Sequence, residues 1–338
     1  MEKDTLILAI ESSCDETAVA ILKNETELLA NEVFSQIKTH QEFGGVLPEV
    51  ASRIHVEMIT IVIEKALKTA NCSMQDITAI AITYGPGLIG SLHVGLQAAK
   101  TLSWLYDIPL IPVHHIVGHM YANAYVTTIQ YPFVCLVVSG GHTELVLSEQ
   151  ENKFKVIAST VDDAIGEAYD KVARIMNVGY PGGPILDKMA TLGHHQYDLP
   201  KVKTNQEDEF SFSGLKSAIK QCVEREEKKH NVIDFNNLAY DFQEAALGQL
   251  IDKTRKVIQK VQPKQVLLGG GVAANSRLRS LLQQLMVEFP HIELIIPPIW
   301  CCTDNAAMIA KAAAINYRHG IIADLNLGAR SSENIENI

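Results

Sequence analysis

His115 and His119 stand four residues apart in the stretch His114-His115-Ile116-Val117-Gly118-His119-Met120-Tyr121. On a helix that spacing puts both rings on one face, one turn apart. Two neutral imidazoles so placed can share one metal ion. A half-buried helix with ordinary histidines shows the same spacing, so the pair alone does not decide. A peptidase built on His-Glu-x-x-His needs a glutamate after the first histidine as its general base. Ile116 stands there, which argues against peptide hydrolysis by that route. Far along the chain, Cys301-Cys302-Thr303-Asp304-Asn305 precedes a helical pattern. Thr303 or Asp304 suits a helix N-cap. Asp304 can also complete a His–His–Asp metal site with positions left for substrate, and Cys301 or Cys302 is a softer alternative ligand.

Two acidic stretches and three glycine turns offer further chemistry. Glu11-Ser12-Ser13-Cys14-Asp15-Glu16 joins two apolar runs. It suits a capped hairpin turn, and it equally presents Asp15 and Glu16 as acid–base or metal-water groups. Asp162 to Lys171 opens a helix, where Asp162 and Asp163 complement the helix dipole. Asp170 sits further in beside Lys171, either as a surface pair or as an acceptor for a ligand hydroxyl or amine. Glycines follow apolar runs at 85–90, at Gly140-Gly141 and at 269–271. Such turns let backbone N–H groups approach a phosphate closely. None spells a P-loop, and none carries the dinucleotide fingerprint with its ribose acid. Their repetition favours a bound nucleotide phosphate.

The elements that must position these residues follow from periodicity. Apolar runs of strand length occupy 5–10, 17–22, 77–83, 110–113, 133–139, 143–147, 154–159, 265–268 and 292–296. Helical patterns cover 49–68, with Val50, Ile54, Met58, Ile61 and Val62 on one face, and then 91–104, 164–176, 185–192, 213–229, 236–261, 274–288 and 303–317. The last is alanine-rich with few charges, which predicts packing on both sides. Residues 31–43 are mixed, 194–210 form a polar excursion, and the polar tail from Ala329 is expected to fray. The hairpins at 5–22 and 133–147 share one pattern of apolar run, serine, polar turn and apolar run, which reads as an internal duplication. The expectation is an α/β protein of two similar βαβ lobes with a cleft between them. The lobes are expected at 1–130 and 131–305, with a final helix at 306–328 packing back on the first.

Composition bounds the rest. The 338 residues are 47% hydrophobic and 20% charged, enough for two ordinary globular domains. No apolar run reaches membrane-spanning length. The first residues lead straight into a strand-like run, so the cytoplasm is the expected location. A net charge of −10 argues against a general nucleic-acid coat. Contact with RNA would need a local basic patch or a partner. Lys216 with Lys220, Arg255 with Lys256 and Lys260, and Arg277 with Arg279 are the candidates, each also readable as a solvated helix face. Six scattered cysteines without a Cys-x-x-Cys indicate reduced, mostly buried thiols.

The ordered motifs then resemble one family. They are ESSCDETAVAIL (11–22), GGVLPEVASRIH (44–55), GPGLIGSLHVG (85–95), HHIVGH (114–119), VVSGGHTEL (137–145), DDAIGEAYDKVAR (162–174), YPGGP (180–184), FSFSGLKSA (210–218), GGGVAANSRLR (269–279) and CTDNAAMIA (302–310). The chain resembles the bacterial branch of the tRNA N6-adenosine threonylcarbamoyltransferase family, formerly labelled O-sialoglycoprotein endopeptidases. The resemblance implies the ribonuclease H-like fold of actin, sugar kinases and Hsp70-type ATPases. It implies transfer of threonylcarbamoyl from threonylcarbamoyl-AMP to N6 of the adenosine next to the anticodon, in tRNAs reading codons that begin with A, with AMP released. It implies one metal ion, Fe2+ or Zn2+, held by His115, His119 and Asp304. Val137, Val138, Ser139, Gly140 and Gly141 would cradle the adenylate, and Asp170, Gly183, Asp187 and Asn275 would contact its ribose and base. The implied partners are tRNA, an inert paralogue of the same fold and a small P-loop ATPase, with no membrane. Asp15 or Glu16 is the expected acceptor of the amine proton. Two alternatives compete. A phosphotransferase or ATPase of the same fold would use Mg2+ and have no need of His–His–Asp, and a non-catalytic scaffold paralogue would have lost the metal motif.

Overall fold

The computed structural model describes residues 4–200 and 208–338, so 201–207 of the expected polar excursion lie outside the described residues. In chain order the elements are β1 (Leu6–Glu11), β2 (Glu16–Lys23), β3 (Glu27–Ser35), α1 (Ile37–Phe43), α2 (Pro48–Thr69), β4 (Ala79–Gly85), α3 (Ile89–Tyr106), β5 (Leu110–His114), α4 (His115–Tyr121), β6 (Phe133–Val138), β7 (Thr143–Gln150), β8 (Lys153–Thr160), α5 (Ile165–Ile175), α6 (Gly182–Ala190), β9 (Glu209–Phe210), α7 (Ser213–Lys228), α8 (Phe235–Val261), β10 (Gln265–Gly269), α9 (Ser276–Met286), β11 (Glu293–Ile295) and α10 (Ala306–Arg318). They fall into two compact units. One comprises Met1–Thr128, Glu151–Lys153 and Pro297–Ile338, and the other Ile129–Gln150 and Phe154–Ile296. No helix among the described residues is long and apolar enough to cross a membrane.

The first unit is built on a sheet of order β3-β2-β1-β4-β5. Strand β1 is antiparallel to β2 and parallel to β4, which is parallel to β5. Strands β1 and β4 are largely apolar on both faces because helices cover both, with Glu11 and Thr83 as buried polar exceptions near their ends. On one face Leu8, Ile10, Ile80 and Ile82 pack with Ile59, Val62 and Ile63 of α2 and Leu96 of α3. Against the sheet also lies α10, whose alanines from Ala306 to Ala314 are buried, as its composition predicts. Small side chains let α10 approach closely. At Gly118 of α4 an added Cβ would lie 2.7 Å from Ile309 Cδ1. That approach sets α4 beside the start of α10.

The second unit repeats the plan with order β11-β10-β6-β7-β8-β9. Here β6 is antiparallel to β7 and parallel to β10, which is parallel to β11. So β6, β7, β10 and β11 occupy the places of β1, β2, β4 and β5. The duplication read from two hairpins extends to the whole sheet.

Several boundaries and faces differ from the sequence reading. The buried face of α2 is Ala51, His55, Ile59, Val62, Ile63 and Ala66, not the expected stripe, and Ile61 is 54% exposed. Counting only apolar residues missed a buried histidine on the true face. The mixed 31–43 stretch splits into the end of the half-exposed strand β3, whose exposed residues are Glu27, Val33 and Ser35, and the short helix α1. Helix α6 begins at Gly182, inside the expected loop, because that glycine packs directly on α5, where a Cβ would lie 2.5 Å from Tyr169 O. The final helix stops at Arg318 rather than 328, since Gly320 adopts a left-handed φ of 69°. The tail does not fray. The Ala323 N–H donates to Leu110 O (2.8 Å), the Arg330 N–H donates to Tyr84 O (2.8 Å), and Ile335 is buried.

Candidate active site

In the first unit, β5 delivers the chain to α4 with His115 as its first residue. The His115 and His119 rings lie 4.7 Å apart at 82°. Asp304 enters from the loop before α10. The cap role expected for Thr303 or Asp304 belongs to Asn305, whose side chain accepts from the Met308 N–H (3.0 Å). Asp304 Oδ1 lies 3.6 Å from His115 Nε2 and 3.2 Å from His119 Nε2. One donor atom from each of the three residues falls within 4.8 Å of the others, and this is the one such group among the described residues that could hold a metal ion. Cys301 and Cys302 do not join it. Both are buried, and the Cys302 thiol contacts Pro298 O at 3.5 Å. Burial also pushes the Cys301 thiol up to about 12.

The surroundings fit a cation. His119 is fully buried, yet neither ring nitrogen has hydrogen-bond geometry with any partner. A native core rarely leaves such a group unsatisfied, and a bound ion would satisfy it. Behind His115, Nδ1 meets Ser13 Oγ at 3.1 Å and Glu11 Oε2 at 3.3 Å, which leaves Nε2 for the ion. A carboxylate behind a ligand imidazole fixes its orientation and raises its basicity. Glu11 is itself buried and accepts from the Ser13 N–H and the Thr83 hydroxyl, each at 2.5 Å. Burial opposes charge on His115, but Asp304 and Glu11 outweigh it and push its pKa up to about 9. Burial dominates at His119 and lowers its pKa.

Glu11, Ser13 and Thr83 were not singled out from the sequence. The one signal was a charged residue ending an otherwise apolar strand run.

Asp15 ends the β1–β2 turn of the same unit and Glu16 opens β2. Burial, then the charges of Asp15 and Asp304, raise the Glu16 carboxyl well above its usual range. Asp304 also contributes to raising the Cys14 thiol, so the turn lies within electrostatic reach of the metal group. His55 of α2, also missed, pins this turn. Cys14 O can only accept, so His55 Nε2 donates to it at 2.9 Å, and Nδ1 accepts from the Thr17 hydroxyl at 2.7 Å. Burial lowers the His55 pKa, consistent with that neutral tautomer. His55→Ala would leave both partners unpaired, at about 1–3 kcal/mol each in denaturant unfolding.

The second unit gathers the other candidates. Val137 and Val138 are buried and pair with β7, and Val137 also with β10, so their backbones are committed to the sheet. The Ser139 N–H donates to His142 O (2.8 Å), and Gly140 and Gly141 are exposed at the turn. The Gly166 N–H donates to Ser139 O (3.2 Å), which sets the start of α5 against this turn. Asp170 Oδ1 accepts from the Gly182 N–H (2.7 Å), beside Gly183, which has open space in front of it. Asp187 accepts from the Ser276 N–H (3.0 Å) and hydroxyl (3.1 Å). The neighbouring Asn275 caps α9 and donates to Gln243 Oε1 (2.8 Å) and Tyr169 Oη (3.4 Å). Asp170, Gly183, Asp187 and Asn275 thus meet where α5, α6 and the start of α9 converge. Tyr169, Gln243 and Ser276 complete this group and were not expected.

Two acidic assignments change. Asp162 lies before α5 and instead holds the FSFS segment, accepting from the Ser211 hydroxyl (2.5 Å), the Phe212 N–H (2.8 Å) and the Ser213 hydroxyl (2.7 Å). Lys171 pairs with Asp163 (2.6 Å) and Glu167 (2.9 Å), not with Asp170. The basic clusters are partly neutralised. Arg277 forms a fork with Glu244 (2.6 and 2.8 Å), and Arg255 pairs with Glu288 (3.1 Å) and Asp252 (3.0 Å).

Known proteins share both fold and sequence with this chain. Full-length HypF in its phosphate- and nucleotide-bound form superposes with a TM-score of 0.60 at 16% identity, over 94% of this chain and 47% of that one. The activator of 2-hydroxyisocaproyl-CoA dehydratase from Clostridium difficile gives 0.52 at 14% identity, over 95% and 99%. These likenesses concern the fold alone, the actin-like class expected above. A family model described as tRNA N6-adenosine threonylcarbamoyltransferase matches residues 27–311. Proteins of that name from Bacillus cereus and Geobacillus thermodenitrificans are 52% and 50% identical, covering 99% and 97% of this chain and 98% and 96% of their own. With that identity along nearly its whole length, the chain belongs to the tRNA N6-adenosine threonylcarbamoyltransferase family.

Proposed function

We infer that the chain transfers the threonylcarbamoyl group of threonylcarbamoyl-AMP to N6 of the adenosine 3′-adjacent to the anticodon in tRNAs reading codons that begin with A. The N6 amine attacks the carbamoyl carbon, the bond from that carbon to the phosphate oxygen breaks, and AMP leaves with the electron pair. The observation that carries this reading, within the family, is the His115–His119–Asp304 group, with both histidines buried, backed by Glu11.

His115, His119 and Asp304 would hold one Fe2+ or Zn2+, which two imidazoles and one carboxylate suit better than Mg2+. When bound, that ion would supply Lewis-acid and template chemistry for the leaving phosphate. The Gly140 and Gly141 amides, beside the start of α5, are the donors for the adenylate phosphate. Asp170, Gly183, Asp187 and Asn275 hold its ribose and base. Asp15 takes the proton lost by the amine, since burial disfavours the charged, proton-accepting form of its neighbour Glu16. The nitrogen ligands count against a Mg2+-dependent phosphotransferase, and the intact metal group counts against an inert scaffold. The chain would act in the cytoplasm with an inert paralogue of its own fold and a small P-loop ATPase.

Mass spectrometry of tRNA nucleosides tests the whole reading. After incubation with threonylcarbamoyl-AMP and the partner proteins, threonylcarbamoyladenosine should accumulate only when this chain is present. Accumulation independent of the chain would end it.

A further inference from the structure

His114 has no part in the chemistry above, yet it is buried and fully engaged. Its two ring nitrogens face opposite kinds of partner. The Ile116 N–H can only donate, so His114 Nδ1 accepts from it at 3.3 Å, at the first turn of the metal-ligand helix α4. Glu333 O can only accept, so His114 Nε2 donates to it at 3.2 Å. The imidazole therefore bridges α4 to a tail segment more than two hundred residues away. The tail also reaches the site by a second route. The Gly87 N–H donates to Ser331 O (3.3 Å), and the next residue, Leu88, donates its N–H to Ser13 O (2.7 Å). Ser13 Oγ in turn lies 3.1 Å from His115 Nδ1.

No side chain could be added along this path. A Cβ on Gly87 would lie 2.5 Å from Ser13 O, and one on Gly85 would collide with Arg330 O. The tail is itself fastened by the Arg330 N–H to Tyr84 O bond (2.8 Å) and the buried Ile335, and is braced internally by the Arg330–Glu333 ion pair (2.6 Å).

We propose that residues 319–338 form a tether that holds the metal-ligand helix in place, with His114 as the positioning residue that joins them. A loose polar terminus would need neither a buried imidazole committed at both nitrogens nor glycines at the points of closest approach. The tether acts on ligand geometry. Its loss should therefore appear in metal affinity and in the ligand field before it appears in the fold. The inference rests on His115, His119 and Asp304 being metal ligands.

Full-length wild type, His114→Phe, Ile335→Ala and the double variant are titrated with Zn2+ against a chelator, and with Co2+, whose visible spectrum reports ligand geometry. His114→Phe keeps the ring and removes both bonds, and Ile335→Ala removes the tail's buried anchor. Each should weaken Zn2+ binding by about 10–100-fold, as for other groups that orient ligands, and should alter the Co2+ spectrum. The double variant should bind no more weakly than the worse single variant, because both break one connection. His114→Gln, which can still donate to Glu333 O, should recover part of the affinity.

Wild-type affinity and spectrum in both single variants would overturn the tether, as would strictly additive losses. Should His114→Phe fail to fold, the Ile335→Ala spectrum decides alone. Wild type that takes up neither ion would instead sink the metal site itself, so the two failures are distinct.

Discussion

His119→Ala should empty the metal site, weaken Zn2+ or Fe2+ binding by more than about a hundredfold and carry transfer down with it. Loss of a group behind a ligand already costs about 10–100-fold, and loss of the ligand itself costs more. The substitution separates site from fold unusually well. Apart from the 3.2 Å contact of Nε2 with Asp304 Oδ1, the His119 ring has no polar partner to lose. The structural cost is that of the cavity left in a fully buried place, about 2–5 kcal/mol for large-to-small core changes. Asp304→Asn keeps the shape of the third ligand and removes the charge that, with Glu11, pulls His115 up to about 9. It should lower affinity less than His119→Ala. Metal content by elemental mass spectrometry and transfer by nucleoside mass spectrometry read both. A His119→Ala protein that retains metal and transfers at the wild-type rate would remove the histidine pair from the reaction.

Asp15→Asn is the second large effect expected. Removing a general base costs about 10²–10⁴-fold in rate, so single-turnover transfer from preformed threonylcarbamoyl-AMP should slow by that order. Glu16→Gln should change the rate far less. Burial, then Asp15 and Asp304, disfavour the charged form of the Glu16 carboxyl, and glutamine reproduces the size and lack of charge of its neutral form. The contrast between adjacent carboxylates is the useful part of the test. Normal single-turnover rates in both variants would take proton transfer away from this turn.

The sequence by itself determined the local elements, the repeated hairpin and the identity of His115, His119 and Asp304 as a candidate ligand set. Strand runs, helix periods and glycine turns depend on neighbours a few residues away, and those are legible in a linear chain. The alanine-rich composition of α10 likewise announced burial before any fold was known. Tertiary structure alone decided what stands behind those residues. Glu11 and Thr83 meet because β1 and β4 lie side by side in the sheet, 72 residues apart in the chain. His55 pins the acidic turn because the buried face of α2 includes a polar residue, which an apolar stripe cannot reveal. Asp304 is turned to the histidines because Asn305, not Asp304, caps α10. The tail from Ala329, polar enough to suggest fraying, is held by backbone bonds to β4 and the loop after it. A backbone N–H or C=O is present at every residue whatever its side chain. Composition therefore could not predict where the tail's hydrogen bonds would go, and only the packed sheet supplied their partners.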